Sequence, residues 1–182
     1  AALYCCPKAG GPASGQLNAM TDSAYSICYS DKISGWDTQI GALYLSVYGE
    51  KKPTEAESLT RLMKSPALYG VIAQKDGSLA GFILLLASPD SSDILEICVH
   101  PDMRRSGIGK RLLEAGLFQA RQRRQNRIIL EVAEDNLAAQ TLYHRAGFKQ
   151  ISRRPNYYLR GTDHIDALVM EKQLSGSSKT SP

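Results

Sequence analysis

Residues 99–110 read VHPDMRRSGIGK: two arginines, Arg104 and Arg105, then Ser106, the spaced glycines Gly107 and Gly109 around Ile108, and Lys110. An apolar run, LEICV, comes before this stretch and a helical pattern, RLLEAGLFQA, comes after it. The spacing therefore places these residues where a strand gives way to a helix. A helix's first N–H groups have no intrahelical partner, and its dipole adds positive charge at that end. Glycines without a Cβ let an anion approach the backbone, and arginines can fork onto phosphate oxygens. The chemistry implied is the binding of a phosphate-bearing ligand. The familiar nucleotide loop G-x-x-x-x-G-K-S/T is absent, and a dinucleotide fingerprint needs a third glycine. A connection whose glycines only permit a turn and whose arginines are solvated remains the plain alternative.

Three further positions carry chemistry. Glu131 is a charged residue inside the apolar strand IILEV, where burial would raise its pKa towards that of a useful general base. It also reads as a carboxylate on a solvated face or one paired with an arginine such as Arg127, the reading the residues alone favour, and Glu134 is a substitute base. Tyr143 lies in LAAQTLYHRA, where Ala138, Leu142 and Ala146 make an i, i+4, i+8 stripe towards a sheet. Tyr143 falls about 100° from that stripe, so its ring can pack at the edge while its hydroxyl reaches a cleft; a core or rim tyrosine is the alternative. Asn136 reads as the cap of that helix.

The elements that must position these residues follow from local pattern. YSICYS reads as a first strand and DTQIGALYLSVYGE as a first helix. Thr54 can cap a second, EAESLTRLMKS. YGVIAQ and LAGFILLLA flank KDGS, whose Asp-Gly suits a tight hairpin. The strand ILEICV, a basic helix from about Gly109 to Arg124, the strand RIILEVAE and the helix ended by Gly147 as its left-handed stop come next. FKQISR and HIDALVMEK read as the last strands, bracketing a loop PNYYLRGT. The fold class is α/β, a mostly antiparallel sheet with helices packed on it.

The 182 residues are long enough for one domain with a sizeable core. Residues 1–20, rich in Gly, Pro, Ala and Ser towards the middle, read as a loose extension without a secretory signal's pattern. Residues 21–174 read as the domain, and residues 175–182 as a disordered tail. The formal net charge of +4 favours an anionic ligand but is too small to argue nucleic-acid binding. The longest apolar run, GFILLLA, is far short of a membrane span. Of four cysteines, Cys5 and Cys6 are adjacent and none has a metal-ligand spacing. No disulfide framework or metal site is expected, and a reducing cytoplasmic setting is. Cys98 reads as a small buried hydrophobe rather than a nucleophile. His100, His144 and His164 lack partners at catalytic spacing, and RQRRQNR reads as a solvated helix end.

Together V-x-P-x-x-R-R-x-G-I-G-K and the later LEVAEDNLAAQTLYHRAGF resemble the two signature motifs of the GNAT family of N-acetyltransferases, in the order and spacing of that family. The resemblance is close over residues 80–172 and extends to residues 22–80 in element order only. It implies acetyl-CoA as cosubstrate. Its pyrophosphate would lie on Arg104, Arg105, Ser106, Gly107, Ile108, Gly109 and Lys110. The backbone of Ile97, Cys98 and Val99 would pair with the pantetheine and polarise the thioester, and Asn136 would also touch coenzyme A. In the same family Glu131 matches the base and Tyr143 the acid that protonates the departing thiolate.

L-E-V, N-x-x-A, Y-x-x-x-G-F and R-R-x-N-Y-Y are similar to one subgroup, the bacterial ribosomal-protein alanine N-acetyltransferases. That implies, as partner, the N-terminal α-amino group of a small-subunit ribosomal protein, with Tyr157 and Tyr158 flanking its first residues; an aromatic loop anchor is their other reading. The sequence departs from the subgroup at KKPT, where Pro-Trp-Ser is usual, and at the extra proline of RRPNYY. A small-molecule amine or a protein lysine is therefore the alternative acceptor. A non-enzymatic module binding RNA or the ribosome through RQRRQNR is the alternative of another class. The sequence does not specify an oligomeric state.

Overall fold

The computed structural model describes residues 27–30, 33–49, 58–59, 61–160 and 162–174, with only the backbone at 27–30 and 160. The expected N-terminal extension, the Thr54 cap and the C-terminal tail lie outside the described residues. Of the expected second helix, 58–59 and 61–62 are described and helical. The described residues fall into two compact units: residues up to Leu85 together with Glu96–Gly116, and Leu86–Leu95 together with residues from Leu117 onward.

In the first unit, β1 (Ile27–Ser30), β2 (Leu68–Lys75), β3 (Ser78–Ala87, entering as far as Leu85) and the end of β4 (Ser91–Val99) lie side by side in that order. β1 pairs antiparallel with β2, Ile27 opposite Lys75. The hairpin between β2 and β3 turns at Asp76 and Gly77, with φ of 50° and 78°. Positive φ at both central residues is the two-residue turn whose twist matches the strands. β3 is apolar on both faces, and Phe82, Ile83, Leu84 and Leu85 are fully buried. Helix α1 (Asp37–Tyr48) buries Ile40, Leu43 and Tyr44. Helix α2 (Ile108–Gln122) buries Ile108, Leu112 and Leu113. A Cβ on Gly116 would come within 2.7 Å of Ile83 Cδ1, so this glycine sets how closely α2 lies on β3.

In the second unit the order is β4, β5 (Arg127–Ala133), β7 (Asp163–Gln173) and β6 (Lys149–Arg160). β4 and β5 are parallel, Ser91 opposite Arg127, while β5–β7 and β6–β7 are antiparallel. Ile128, Leu130 and Val132 of β5 and Ala167, Leu168, Val169 and Met170 of β7 are buried. Helix α3 (Leu137–Arg145) follows β5. The mixed, mostly antiparallel α/β architecture is the one expected.

Two local expectations are corrected. PNYYLRGT is not a loop: residues through Arg160 continue β6 as a strand. Between the pairs Arg154–Ala167 and Tyr158–Ile165, β6 spends three residues, Pro155 to Tyr157, against the single Asp166. The Pro-Asn pair at the start of the expected loop is a bulge in a ladder. In α3 the buried residue is Tyr143, whereas Ala138 is exposed and Leu142 and Ala146 are only partly covered. The covered face of α3 is that of Tyr143 and not the Ala138–Leu142–Ala146 stripe, because alanines mark a buried face weakly in a helix of nine residues.

Candidate active site

The stretch 99–110 lies in the first unit. Pro101 ends β4 and starts a single 3-10 turn, Pro101–Met103, capped by His100 Nδ1 accepting from the Asp102 N–H at 3.3 Å. The Ser106 hydroxyl donates to the Met103 carbonyl at 2.6 Å, which folds the loop back on itself. Arg105 and Gly107 take φ of 62° and 87°. A Cβ at Gly107 would meet nothing within 4 Å, so the backbone conformation, rather than crowding, calls for glycine there. The first bond of α2 runs from Arg111 N–H to Gly107 O at 3.1 Å. The amides of Ile108, Gly109 and Lys110 precede it and have no carbonyl four residues back within the helix. Arg104, Arg105 and Lys110 are exposed, with Lys110 3.7 Å from Glu114. Gly109 is the second residue of α2 and part of its first turn.

The end of β4 precedes this loop. Cys98 is 2% exposed and its thiol is free. Burial, together with the Glu96 charge, pushes the thiol pKa up to about 12, so it stays protonated and acts as the packing residue the sequence implies. A Cβ on Gly81 would come within 2.7 Å of the Cys98 carbonyl oxygen. β3 and β4 thus approach closely where Ile97, Cys98 and Val99 lie. One carboxylate was passed over in reading LEICV as apolar. Glu96 accepts a hydrogen bond from the Tyr48 hydroxyl of α1 at 2.8 Å, and with burial it raises the phenol's pKa above the usual range.

The second unit holds the candidate base. Glu131 is not the isolated buried carboxylate that its strand position suggests: its side chain is 26% exposed and Arg154 Nη2 lies 3.0 Å from Oε1. The ion-pair reading holds, with a different partner, since Arg127 pairs with Glu171 at 3.3 Å. The Tyr157 hydroxyl donates to Glu131, and this bond raises the phenol's pKa, followed by desolvation and the carboxylate's charge. Arg154 lies over the Tyr157 ring, 5.5 Å from its centroid, and Tyr158 meets that ring edge-on at 5.0 Å. Burial and the Glu131 charge also raise Asp93. The structure therefore brings Glu131, Arg154, Tyr157 and Tyr158 together. Arg154 was missed; its signal was the RR pair two residues before Asn156 in the motif RRPNYY.

Tyr143 is set by the way α3 ends. Gly147, φ 87°, is the left-handed stop, and the Phe148 N–H bonds back to Tyr143 O at 3.0 Å. That closure brings the residue after the stop onto the last turn, and the Tyr143 and Phe148 rings pack at 5.8 Å. Tyr143 is 8% exposed, on the covered face of α3 and not at its edge. Asn136 caps the other end, its side-chain oxygen accepting from Ala139 N–H at 3.1 Å. Glu134, the substitute base, is committed to Arg153 at 2.6 Å. Among the described residues no group of three or more His, Cys, Asp or Glu side chains is placed to hold a metal ion, and no helix is long and apolar enough to cross a membrane.

This arrangement offers a helix start flanked by exposed arginines in one unit, and a carboxylate with aromatic and cationic neighbours in the other. The sequence profile of the acetyltransferase (GNAT) family matches residues 37–148. The chain belongs to that family. Among curated proteins, the ribosomal protein bS18-alanine N-acetyltransferase of Salmonella typhimurium is 34% identical over 100 residues, 55% of this chain and 68% of that one. The crystal structure of the ribosomal-protein-S18-alanine N-acetyltransferase from Escherichia coli superposes with a TM-score of 0.75 at 23% identity, covering 86% of this chain and 99% of that one. A Salmonella typhimurium acetyltransferase solved with its cofactor acetyl-CoA reaches 0.72 at 16% identity, over 84% and 96% of the two chains. At these identities the two structures show the GNAT fold. The family match identifies the chain as an N-acetyltransferase.

Proposed function

We propose that this GNAT enzyme moves the acetyl group of acetyl-CoA to the N-terminal α-amino group of a protein, a ribosomal protein beginning with alanine, in the cytoplasm. The observation that carries the reading is the Glu131–Tyr157 hydrogen bond. It joins the candidate base to the tyrosine that the subgroup resemblance assigns to the acceptor. An amine needs a hydrogen-bond acceptor on its nitrogen and walls around its first side chain. Glu131 offers the first, and Tyr157 with Tyr158 the second.

An α-amino group has a pKa of about 7.7–8.0, against about 10.4 for lysine, so much of it is neutral at physiological pH. A half-buried carboxylate is then base enough. The amine nitrogen attacks the thioester carbonyl, the C–S bond breaks, Glu131 takes the amine's proton and Tyr143 gives one to the leaving thiolate. Arg104, Arg105 and Ser106, with the backbone of Gly107, Ile108, Gly109 and Lys110, hold the pyrophosphate. The exposure of both arginines and the geometry of the first turn of α2 support this. The Ile97–Val99 backbone polarises the carbonyl, work worth about 3–4 kcal/mol where such donors have been removed.

The test is transfer of labelled acetyl from acetyl-CoA to a panel of peptides with different N-termini, lysine-bearing peptides with blocked N-termini and free small amines. Highest kcat/KM on an alanine N-terminus supports the proposal. Highest kcat/KM on lysines or small amines overturns it in favour of the alternative acceptor.

A further inference from the structure

Across from the bulge at Pro155–Tyr157, β7 presents one residue, Asp166, and three contacts meet on it. Its Oδ1 accepts the Asn156 N–H at 2.9 Å. Its Oδ2 accepts from Arg153 Nε, whose Nη2 reaches Glu134 Oε2 at 2.6 Å. Its backbone carbonyl accepts the Glu134 N–H at 2.9 Å, at the end of β5. Asn156 sits at φ 55°, a region that asparagine tolerates but does not prefer outright.

The bulge has an immediate geometric consequence. Side chains alternate along a strand, so a one-residue slip would send Tyr157 to the opposite face. β7 lies between β5 and β6, and strands are spaced about 4.8 Å apart. Tyr157 must therefore reach over a whole strand to meet Glu131, and it does so only with this register. We infer that Asp166 is a positioning residue. By accepting the Asn156 N–H and anchoring Arg153, it fixes the bulge that sets Tyr157 against Glu131, and through that pair the acceptor. The inference deepens the proposed function and rests on Tyr157 meeting the acceptor.

Two variants test it, Asp166→Ala and Asp166→Asn, each also combined with Tyr157→Phe. The Asn variant keeps an oxygen for the Asn156 N–H and gives a folded comparison if the Ala variant fails to fold. The first readout needs no activity. In tyrosine-labelled protein the Tyr157 resonance, identified by its loss in Tyr157→Phe, should titrate closer to the usual phenol value of about 10 in Asp166→Ala, and in between in Asp166→Asn. The groups facing that phenol are Glu131 and Arg154, which both variants keep.

The second readout is acetyl transfer to an alanine-terminated peptide. Asp166→Ala should lower kcat/KM for the peptide about tenfold or more, with KM for acetyl-CoA changed by less than about twofold. In the Tyr157→Phe background it should add almost nothing, the non-additivity expected of residues that act through one another. An unmoved Tyr157 titration in folded Asp166→Ala overturns the inference, as do effects that multiply independently. A titration that moves while peptide kinetics stay at wild type supports the positioning of Tyr157 and overturns its role at the acceptor.

Discussion

The Tyr157 hydroxyl of β6 donates a hydrogen bond to the Glu131 carboxylate of β5, across the intervening strand β7. One carboxylate is thereby held by a phenol and, through Arg154 at 3.0 Å, by a guanidinium. A carboxylate fixed from two sides is oriented before any acceptor arrives.

If Glu131 takes the amine's proton, Glu131→Gln lowers kcat by about 10²–10⁴-fold with little change in acetyl-CoA affinity. The loss is partly recovered at higher pH, where more acceptor amine is already neutral. The pH–rate profiles of the two proteins decide it. Wild-type kcat near pH 7 in the variant would reduce Glu131 to a structural ion-pair partner of Arg154.

Tyr143→Phe removes a proton donor and keeps the ring that packs on Phe148. Its defect is not rescued by alkaline pH, and it shrinks with an acyl donor whose leaving thiol has a lower pKa. Because the ring contact at 5.8 Å survives, the melting temperature stays near wild type. A large fall in stability with normal kcat would make Tyr143 a core residue only.

Gly107→Val places a β-branched residue at φ 87°, where L-residues are strained by about 1–2 kcal/mol. The loop relaxes away from the conformation that exposes the first amides of α2. Acetyl-CoA affinity falls by about tenfold or more, about 1.4 kcal/mol, in a protein that still folds. Calorimetric titration measures it. An unchanged affinity would remove the loop from the cosubstrate site.

Cys98 is held protonated by burial, with a pKa of about 12, so thiolate-directed reagents leave Cys98 unmodified in the folded enzyme near pH 7. The folded protein's preference for the thiol is fully present below the unfolded value of about 8.5 and is lost progressively as pH rises from there through about 12. Cys98→Ala keeps transfer activity, measured by acetyl incorporation. A well-folded but inactive variant would argue for a thiol-dependent step.

Local features were legible in the sequence because they are decided within a few residues. The Asp76–Gly77 turn, the Asn136 cap, the Gly147 stop and the strand–loop–helix passage at 99–110 all depend on near-neighbour backbone geometry. The two motifs, read together, gave the family. Features set by a weak or distant signal were not legible. Alanines misplaced the buried face of α3, and Pro155–Asn156 imitated the start of a loop because a bulge and a loop use the same residue types.

By itself, then, the sequence determined the fold class, the glycine-bearing passage from strand to helix and the types of residue available for acid–base work. Tertiary structure alone decided their partners. Glu131 could be paired with Arg127, four residues away, or with Arg154 on another strand, and nothing local chooses between them. The choice comes from the order β5–β7–β6 and the bulge opposite Asp166. Together these carry Arg154 and Tyr157 to Glu131 and leave Arg127 to Glu171. Which side chains meet across strands is a property of register, and register is set by the sheet as a whole.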